Sequence, residues 1–167
     1  MKKILLIGMP GSGKTTIGRI IAKKLKKDFI DFDEYIFRVT GKDSAEHLAE
    51  LGDEKFLDFE AEIAERINGD NLVIASSGSV PLQRRGINHL RKNAKTVWID
   101  VPLEIIKNRV KQRADGNTRI VGAQTMTFEE ILQYRLKKYQ QNHDIHVSLK
   151  KEMTPEKVAD LILKKLI

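Results

Sequence analysis

The chain has 167 residues, 41% hydrophobic and 32% charged, with 30 Lys and Arg against 23 Asp and Glu and a formal net charge of +7. A length and composition of this kind fit one folded domain and exclude a disordered tail, while the lack of cysteine excludes a disulfide scaffold, a thiolate metal site and a thiol nucleophile. The apolar run Ile4–Ile7 is too short for a signal peptide and no later stretch reaches the length of a membrane span, so a cytoplasmic protein with no membrane partner is expected.

Ile4-Leu5-Leu6-Ile7 predicts a buried strand, followed by a Gly-rich turn and a helix to about Leu25. Phe29-Ile30-Asp31-Phe32 predicts a second strand. Residues 44–51 and 53–68 read as helices, with Phe56, Phe59, Ile63 and Ile67 spaced to form one apolar stripe. Leu72-Val73-Ile74-Ala75 is a third strand and Thr96-Val97-Trp98-Ile99-Asp100 a fourth, with helices expected at about 82–93 and 103–113. The polar stretch 114–127, with Gly116, Asn117 and Gly122, reads as a loop. A helix over 128–140, a strand near Ile145–Val147 and a last helix follow; Thr154 suits that helix's N-cap and Pro155 its first position.

Apolar strands alternating with helices imply an α/β fold, a three-layer α/β/α sandwich on a five-stranded parallel sheet. Ligands of such sheets bind outside the carboxyl ends of the strands. The segments to inspect are therefore Gly8–Thr15, Asp31–Asp33, Ser76–Ser79 and Asp100.

The positive charge is unevenly spread. Residues 1–27 carry eight bases and no acid, residues 28–70 fourteen acids against four bases, and residues 71–167 eighteen bases against nine acids. A nucleic-acid binder would carry one basic patch or stripe. An acidic centre between basic flanks is read instead as charge scattered over helix surfaces, and no nucleic-acid partner is expected.

Gly8-Met9-Pro10-Gly11-Ser12-Gly13-Lys14-Thr15 matches the phosphate-loop pattern G-x-x-x-x-G-K-[ST] in full, between a strand and a helix as the motif requires. Gly8, Gly11, Ser12 and Gly13 let backbone N–H groups turn inward around a phosphate at a helix N-terminus. Lys14 supplies charge to the β- and γ-phosphates of ATP, and the Thr15 hydroxyl is placed for Mg²⁺. Thr16 is counted with the nucleotide contacts, although a helix-surface role explains it as simply, as it does Arg19 and Lys23.

Around this loop stand Phe29-Ile30-Asp31-Phe32-Asp33, Gly52-Asp53-Glu54-Lys55-Phe56, Val73-Ile74-Ala75-Ser76-Ser77-Gly78-Ser79-Val80 and Tyr134-Arg135-Leu136-Lys137-Lys138-Tyr139. In order and spacing, over essentially the whole chain, this resembles shikimate kinase, within the nucleoside-monophosphate-kinase-like group of P-loop proteins. The resemblance implies a P-loop fold with a lid at about 114–127 and an acceptor-binding subregion at about 32–68. It implies that Asp31 serves the metal, that Asp33 contacts the acceptor hydroxyl and orients or deprotonates it, and that Gly78 and Arg135 help to hold the acceptor. It also implies that the lid's Arg119 closes on the phosphates. Arg109 or Arg113 is available to stack on adenine; Arg113 is carried as the contact, and the spacing leaves the choice open. Asp31 and Asp33 flank Phe32, so an extended backbone would send both carboxylates to one face.

The acceptor half departs from the family pattern. Phe-Arg-x-x-Glu is here Phe56-Leu57-Asp58-Phe59-Glu60, Gly-Gly-Gly is Ser77-Gly78-Ser79, and the lid's Arg-Pro-Leu is Arg119-Ile120-Val121. Leu57 forfeits a charge-assisted contact to a carboxylate worth roughly 1.5–3 kcal/mol. Arg84 and Arg85 read as surface residues at a helix start, Asp100 as a helix cap, and the four histidines as free of any metal-ligand spacing. The expectation is a monomeric, Mg²⁺- and ATP-dependent kinase of shikimate or a related small hydroxylated acceptor. A nucleoside-monophosphate kinase and a nucleotide-binding regulatory or nucleic-acid-associated protein are the alternatives.

Overall fold

A computed structural model describes residues 3–111 and 120–166. β1 (Lys3–Ile7) and β3 (Leu72–Ala75) are buried along their whole length, with no polar alternation. That pattern belongs to strands covered on both faces. They form the middle of a five-stranded sheet ordered β2-β3-β1-β4-β5, with β2 (Asp28–Asp31), β4 (Ala94–Asp100) and β5 (Ile145–Ser148) completing it. Every pairing is parallel, and Leu6 of β1 lies opposite Ala75 of β3 and Val97 of β4.

Helices flank this sheet as expected for the three-layer α/β/α arrangement. α1 (Lys14–Leu25) packs against α7 (Pro155–Leu166), and α3 (Ser44–Glu65) packs against α4 (Arg84–Arg91). α5 (Leu103–Lys111) follows β4, and α6 (Phe128–Gln141) precedes β5. From β1 the chain runs to β2 on one side of the sheet, whereas from β3 it runs to β4 on the other. The connections therefore diverge beside the ends of β1 and β3, and a crevice opens there.

The second strand is shorter than expected. It stops at Asp31, and Phe32 opens α2 (Phe32–Thr40), a helix that strand-like Phe29–Phe32 conceals. Asp31 is its N-cap, with the carboxylate accepting from the backbone N–H groups of Asp33 (3.0 Å) and Glu34 (3.1 Å). Glu34, in the first turn, pairs with Arg19 on the surface. The predicted helices 44–51 and 53–68 form one element, α3, with a kink at Gly52 (φ 73°, ψ 170°), and the second piece ends at Glu65. A 3₁₀ turn, Val80–Leu82, precedes α4. The final helix starts at Pro155 as expected, with Thr154 Oγ1 accepting from Lys157 N–H at 3.4 Å.

One large apolar core surrounds the sheet; a small one, Leu48, Phe56 and Val121, lies beside the crevice, with Leu57 packed against it. Among the described residues, no helix is long and apolar enough to cross a membrane.

Candidate active site

The phosphate loop leaves β1 at Gly8 and enters α1 at Lys14. At Gly8 (φ 149°) a Cβ would lie 2.5 Å from the Ile99 carbonyl oxygen, so only glycine lets the loop pass β4 this closely. Gly13, in the left-handed region, occupies the N-cap position of α1 and provides no side-chain cap. The first N–H groups of α1 are thus left to an anion, and the helix dipole favours one there. Lys14 is buried and donates to the carbonyls of Gly8 (2.8 Å) and Met9 (2.9 Å), so its ammonium is held at the mouth of the loop.

Thr15 Oγ1 donates to Asp31 Oδ2 at 2.5 Å, joining the loop to the end of β2. Two hard oxygen ligands beside a phosphate cradle fit Mg²⁺, which keeps waters and takes phosphate oxygens in preference to an all-protein cage. Among the described residues no cluster of three or more His, Asp or Glu is arranged to hold a metal.

Asp33 lies in the first turn of α2, not in an extended segment as expected from sequence. It still reaches the same cavity as Asp31, because the helix turns back over the strand end. Ser44 Oγ, at the start of α3, donates to Asp33 Oδ1 at 2.6 Å and fixes the carboxylate. This cavity, of about 500 Å³, runs from Gly13, Lys14 and Thr15 past Asp31 and Asp33 to Arg135.

Arg135, on α6, is 1% exposed. No carboxylate lies within ion-pair distance of it among the described residues; Nη2 donates to the Val121 carbonyl at 3.2 Å and Nε has no partner. Gly78 is pressed between Arg135 and the phosphate loop: a Cβ there would stand 2.7 Å from Pro10 Cδ and 2.8 Å from Arg135 Nη1. Its carbonyl accepts from Tyr139 Oη at 2.8 Å.

Glu60 escapes sequence reasoning. It is 1% exposed, at the cavity wall, and accepts from Ser77 Oγ (2.5 Å) and Ser79 Oγ (2.6 Å). Burial pushes its carboxyl up to about 7, the two hydroxyls pull against that, and the Asp33 charge adds to it. The signal was present in two serines standing where the family has glycines, and in an acid three residues after the missing arginine.

A second cavity, about 600 Å³, adjoins the other side of the loop and is lined by Gly13, Thr16, Arg109, Leu149, Met153 and Pro155. Its apolar walls suit a flat base, and the segment after β5 that builds them carried no motif. Arg109 lies here, Nη1 donating to the Gly11 carbonyl at 3.1 Å and Nη2 to Glu152 at 3.3 Å. Arg113 and Arg119 lie outside the described residues, as does the lid up to Ile120. The described end of the lid is tied down by Gly122 N–H, which donates to Asp53 Oδ2 at 2.9 Å. Asp100 is neither cap nor cavity residue; it pairs with His146 Nε2 at 2.9 Å across to β5. Arg85 sits at the start of α4 against Glu65, on the surface as expected.

A parallel sheet with a phosphate loop at β1 and a cavity on either side of that loop is the frame of a P-loop kinase. The family model for shikimate kinase matches residues 10–167. A shikimate kinase of Clostridium botulinum is 38% identical over 147 residues, 87% of this chain and 86% of that one. A structure of the Acinetobacter baumannii shikimate kinase in complex with shikimate superposes with a TM-score of 0.84 at 24% identity, covering 99% of this chain and 93% of that one. The chain belongs to the shikimate kinase family. It is also 38% identical over 165 residues to threonine synthase-like 1 of Macaca fascicularis, covering 97% of this chain but 22% of that relative, so it spans about a fifth of that protein's length.

Proposed function

We propose that residues 1–167 form one kinase domain that transfers the γ-phosphoryl of Mg·ATP to the hydroxyl of a small alcohol acceptor, shikimate or a related hydroxylated metabolite. The observation that carries this reading is the single cavity in which the phosphate loop, Asp33 and Arg135 meet. Groups for the donor and groups for an acceptor open onto the same space, which in-line transfer requires.

Lys14 and the N–H groups of the loop and of α1 hold the β- and γ-phosphates and stabilise charge that develops on the transferred group. Thr15 and Asp31 would hold Mg²⁺, which supplies further charge neutralisation when bound. Asp33, positioned by Ser44, orients the acceptor hydroxyl and takes its proton as the new O–P bond forms and ADP leaves. Arg135 and the Gly78 segment hold the acceptor's far end, Arg119 closes on the phosphates from the lid, and the second cavity takes adenine beside Arg109 or Arg113. The threonine synthase-like relative, named for an enzyme that makes a hydroxylated amino acid, supports adding such acceptors to those tested.

The test is ADP release from Mg·ATP across shikimate, other hydroxy acids, hydroxylated amino acids, sugars, amino alcohols and nucleoside monophosphates. Turnover of at least one alcohol is expected, together with a loss of nucleotide affinity and activity in Lys14→Ala. No turnover with any acceptor, or a Lys14→Ala protein that binds and turns over ATP unchanged, sinks the reading.

A further inference from the structure

The acceptor end of the cavity has an unusual balance of charge. Besides Lys14 of the phosphate loop, Arg135 is the one cation lining it among the described residues. Leu57, in the place of a second arginine, is packed against Leu48, Phe56 and Val121. What remains is a pair of buried groups of opposite sign, Glu60 and Arg135, each 1% exposed.

Buried ionisable groups are normally paired, and these two are not paired with each other. Glu60 takes two serine hydroxyls and no Lys or Arg; Arg135 takes the Val121 carbonyl and the Tyr139 hydroxyl and leaves Nε without a partner. They flank the same segment, Ser77–Ser79: Glu60 through its two hydrogen bonds, Arg135 through its contact with Gly78. Glu60 feels the charge of Arg135 with no ion pair between them.

A hydroxy acid would satisfy Arg135 and leave Glu60, held by two hydroxyls, without a cationic partner. An amino alcohol would do the reverse. A zwitterion satisfies both, because its ammonium and carboxylate are carried on one carbon and point apart. We propose that the acceptor is a small hydroxy amino acid, bound with its carboxylate at Arg135, its ammonium at Glu60 and its hydroxyl toward Asp33. This rests on the kinase reading above and narrows it to one class of substrate. The serines that replace the family's glycines hold the Glu60 carboxyl toward the cavity in the absence of an arginine on its own helix. An ammonium beside Glu60 favours its ionised form and completes its hydrogen bonding.

The experiment compares matched acceptors with Mg·ATP: L-serine and L-homoserine, the same skeletons without nitrogen (3-hydroxypropanoate and 4-hydroxybutanoate), the same skeletons without the carboxylate (ethanolamine and 3-aminopropan-1-ol), and shikimate. At least one amino acid is expected to exceed both of its truncated partners and shikimate in kcat/KM by roughly 10–100-fold, the range for loss of one charged hydrogen bond. Glu60→Gln is expected to collapse the ratio between the amino acid and its nitrogen-free partner toward one. Leu57→Arg, which sets a guanidinium three residues before Glu60 on the same helix face, is expected to do the same with the Glu60 side chain intact. If shikimate or any acceptor lacking the ammonium is used as well as the amino acids, the hydroxy amino acid is overturned and the kinase reading stands. If none of these acceptors releases ADP, the hydroxy amino acid is overturned; the kinase reading falls with it only if the wider panel of alcohols also gives no turnover.

Discussion

The two ends of the main cavity are built on different plans. The phosphate end is a contiguous stretch, Gly8–Thr15, whose binding groups are mostly backbone N–H. The end proposed for the acceptor collects side chains from α2 (Asp33), α3 (Glu60), the turn after β3 (Ser77 and Ser79) and α6 (Arg135). A backbone cradle depends on glycine spacing and one lysine, and it tolerates no drift. A set of side chains brought together by tertiary packing can change one member at a time while the scaffold holds. All three departures from the family pattern, at Leu57, at Ser77 and Ser79, and at Ile120-Val121, fall at the acceptor end, and each has been absorbed structurally. Val121 shows how: its side chain joins the small apolar cluster while its carbonyl takes Arg135.

The sharpest way to separate the two ends is Asp33→Asn. The amide keeps the size and the Ser44 contact but is no proton acceptor. On the proposed mechanism kcat falls by on the order of 10³-fold, within the 10²–10⁴ range of general-base catalysis. ATP affinity, set by the other end, stays within a factor of about two of the parent, as titration of nucleotide binding would record. A loss of ATP binding equal to the loss of turnover would mean that the ends are not separable.

The contrast also accounts for what the sequence makes legible. The phosphate end is readable because its chemistry is local: eight adjacent residues state both the loop and its strand–helix setting. The parallel sheet is equally readable from β1 and β3, whose unbroken apolar runs have one explanation. α2 is hidden because Phe29–Phe32 continues a strand pattern through the residue that caps a helix, although Phe32 and Ile36, four apart and both buried, carry its period. Glu60 is hidden for a longer-range reason. It follows Phe56 and Phe59 in an apolar stripe, and only the turn after β3, seventeen to nineteen residues on, supplies its partners. Asp100 is misread as a cap because its partner, His146, is set by the pairing of β4 with β5. Local motifs survive translation from sequence; a site's charge balance requires the fold.

The acceptor end should also be visible in stability. The Glu60 carboxyl is raised to about 7 in the folded chain from an ordinary 4.5. Between those values the folded state keeps a proton that the unfolded state has lost, so stability falls as pH rises through this window and levels off above it. The drop is on the order of 3 kcal/mol. Ser77 and Ser79 oppose the shift, Asp33 adds to it and Arg135 opposes it, so the slope reports the whole acceptor end. Chemical denaturation from pH 4.5 to 8 should show the slope in the parent and lose it in Glu60→Gln. An equal slope in both proteins would place the titration elsewhere.

Gly78 is where the two ends touch, and Gly78→Ala tests how tightly. The added methyl meets Pro10 Cδ at 2.7 Å and Arg135 Nη1 at 2.8 Å. The guanidinium sits at the end of a flexible side chain, but its Nη2 is committed to the Val121 carbonyl. The proline ring is fixed to the loop backbone, so relief on that side moves the phosphate cradle itself. Overpacking of this kind costs about 1–3 kcal/mol, which for a chain of this size lowers Tm by roughly 2–4 °C per kcal/mol. The informative result is how the loss divides. Movement of Arg135 alone weakens the acceptor and spares ATP, whereas movement of Pro10 weakens both. Unchanged Tm and unchanged affinities would mean that the close approach at Gly78 does not couple the two ends.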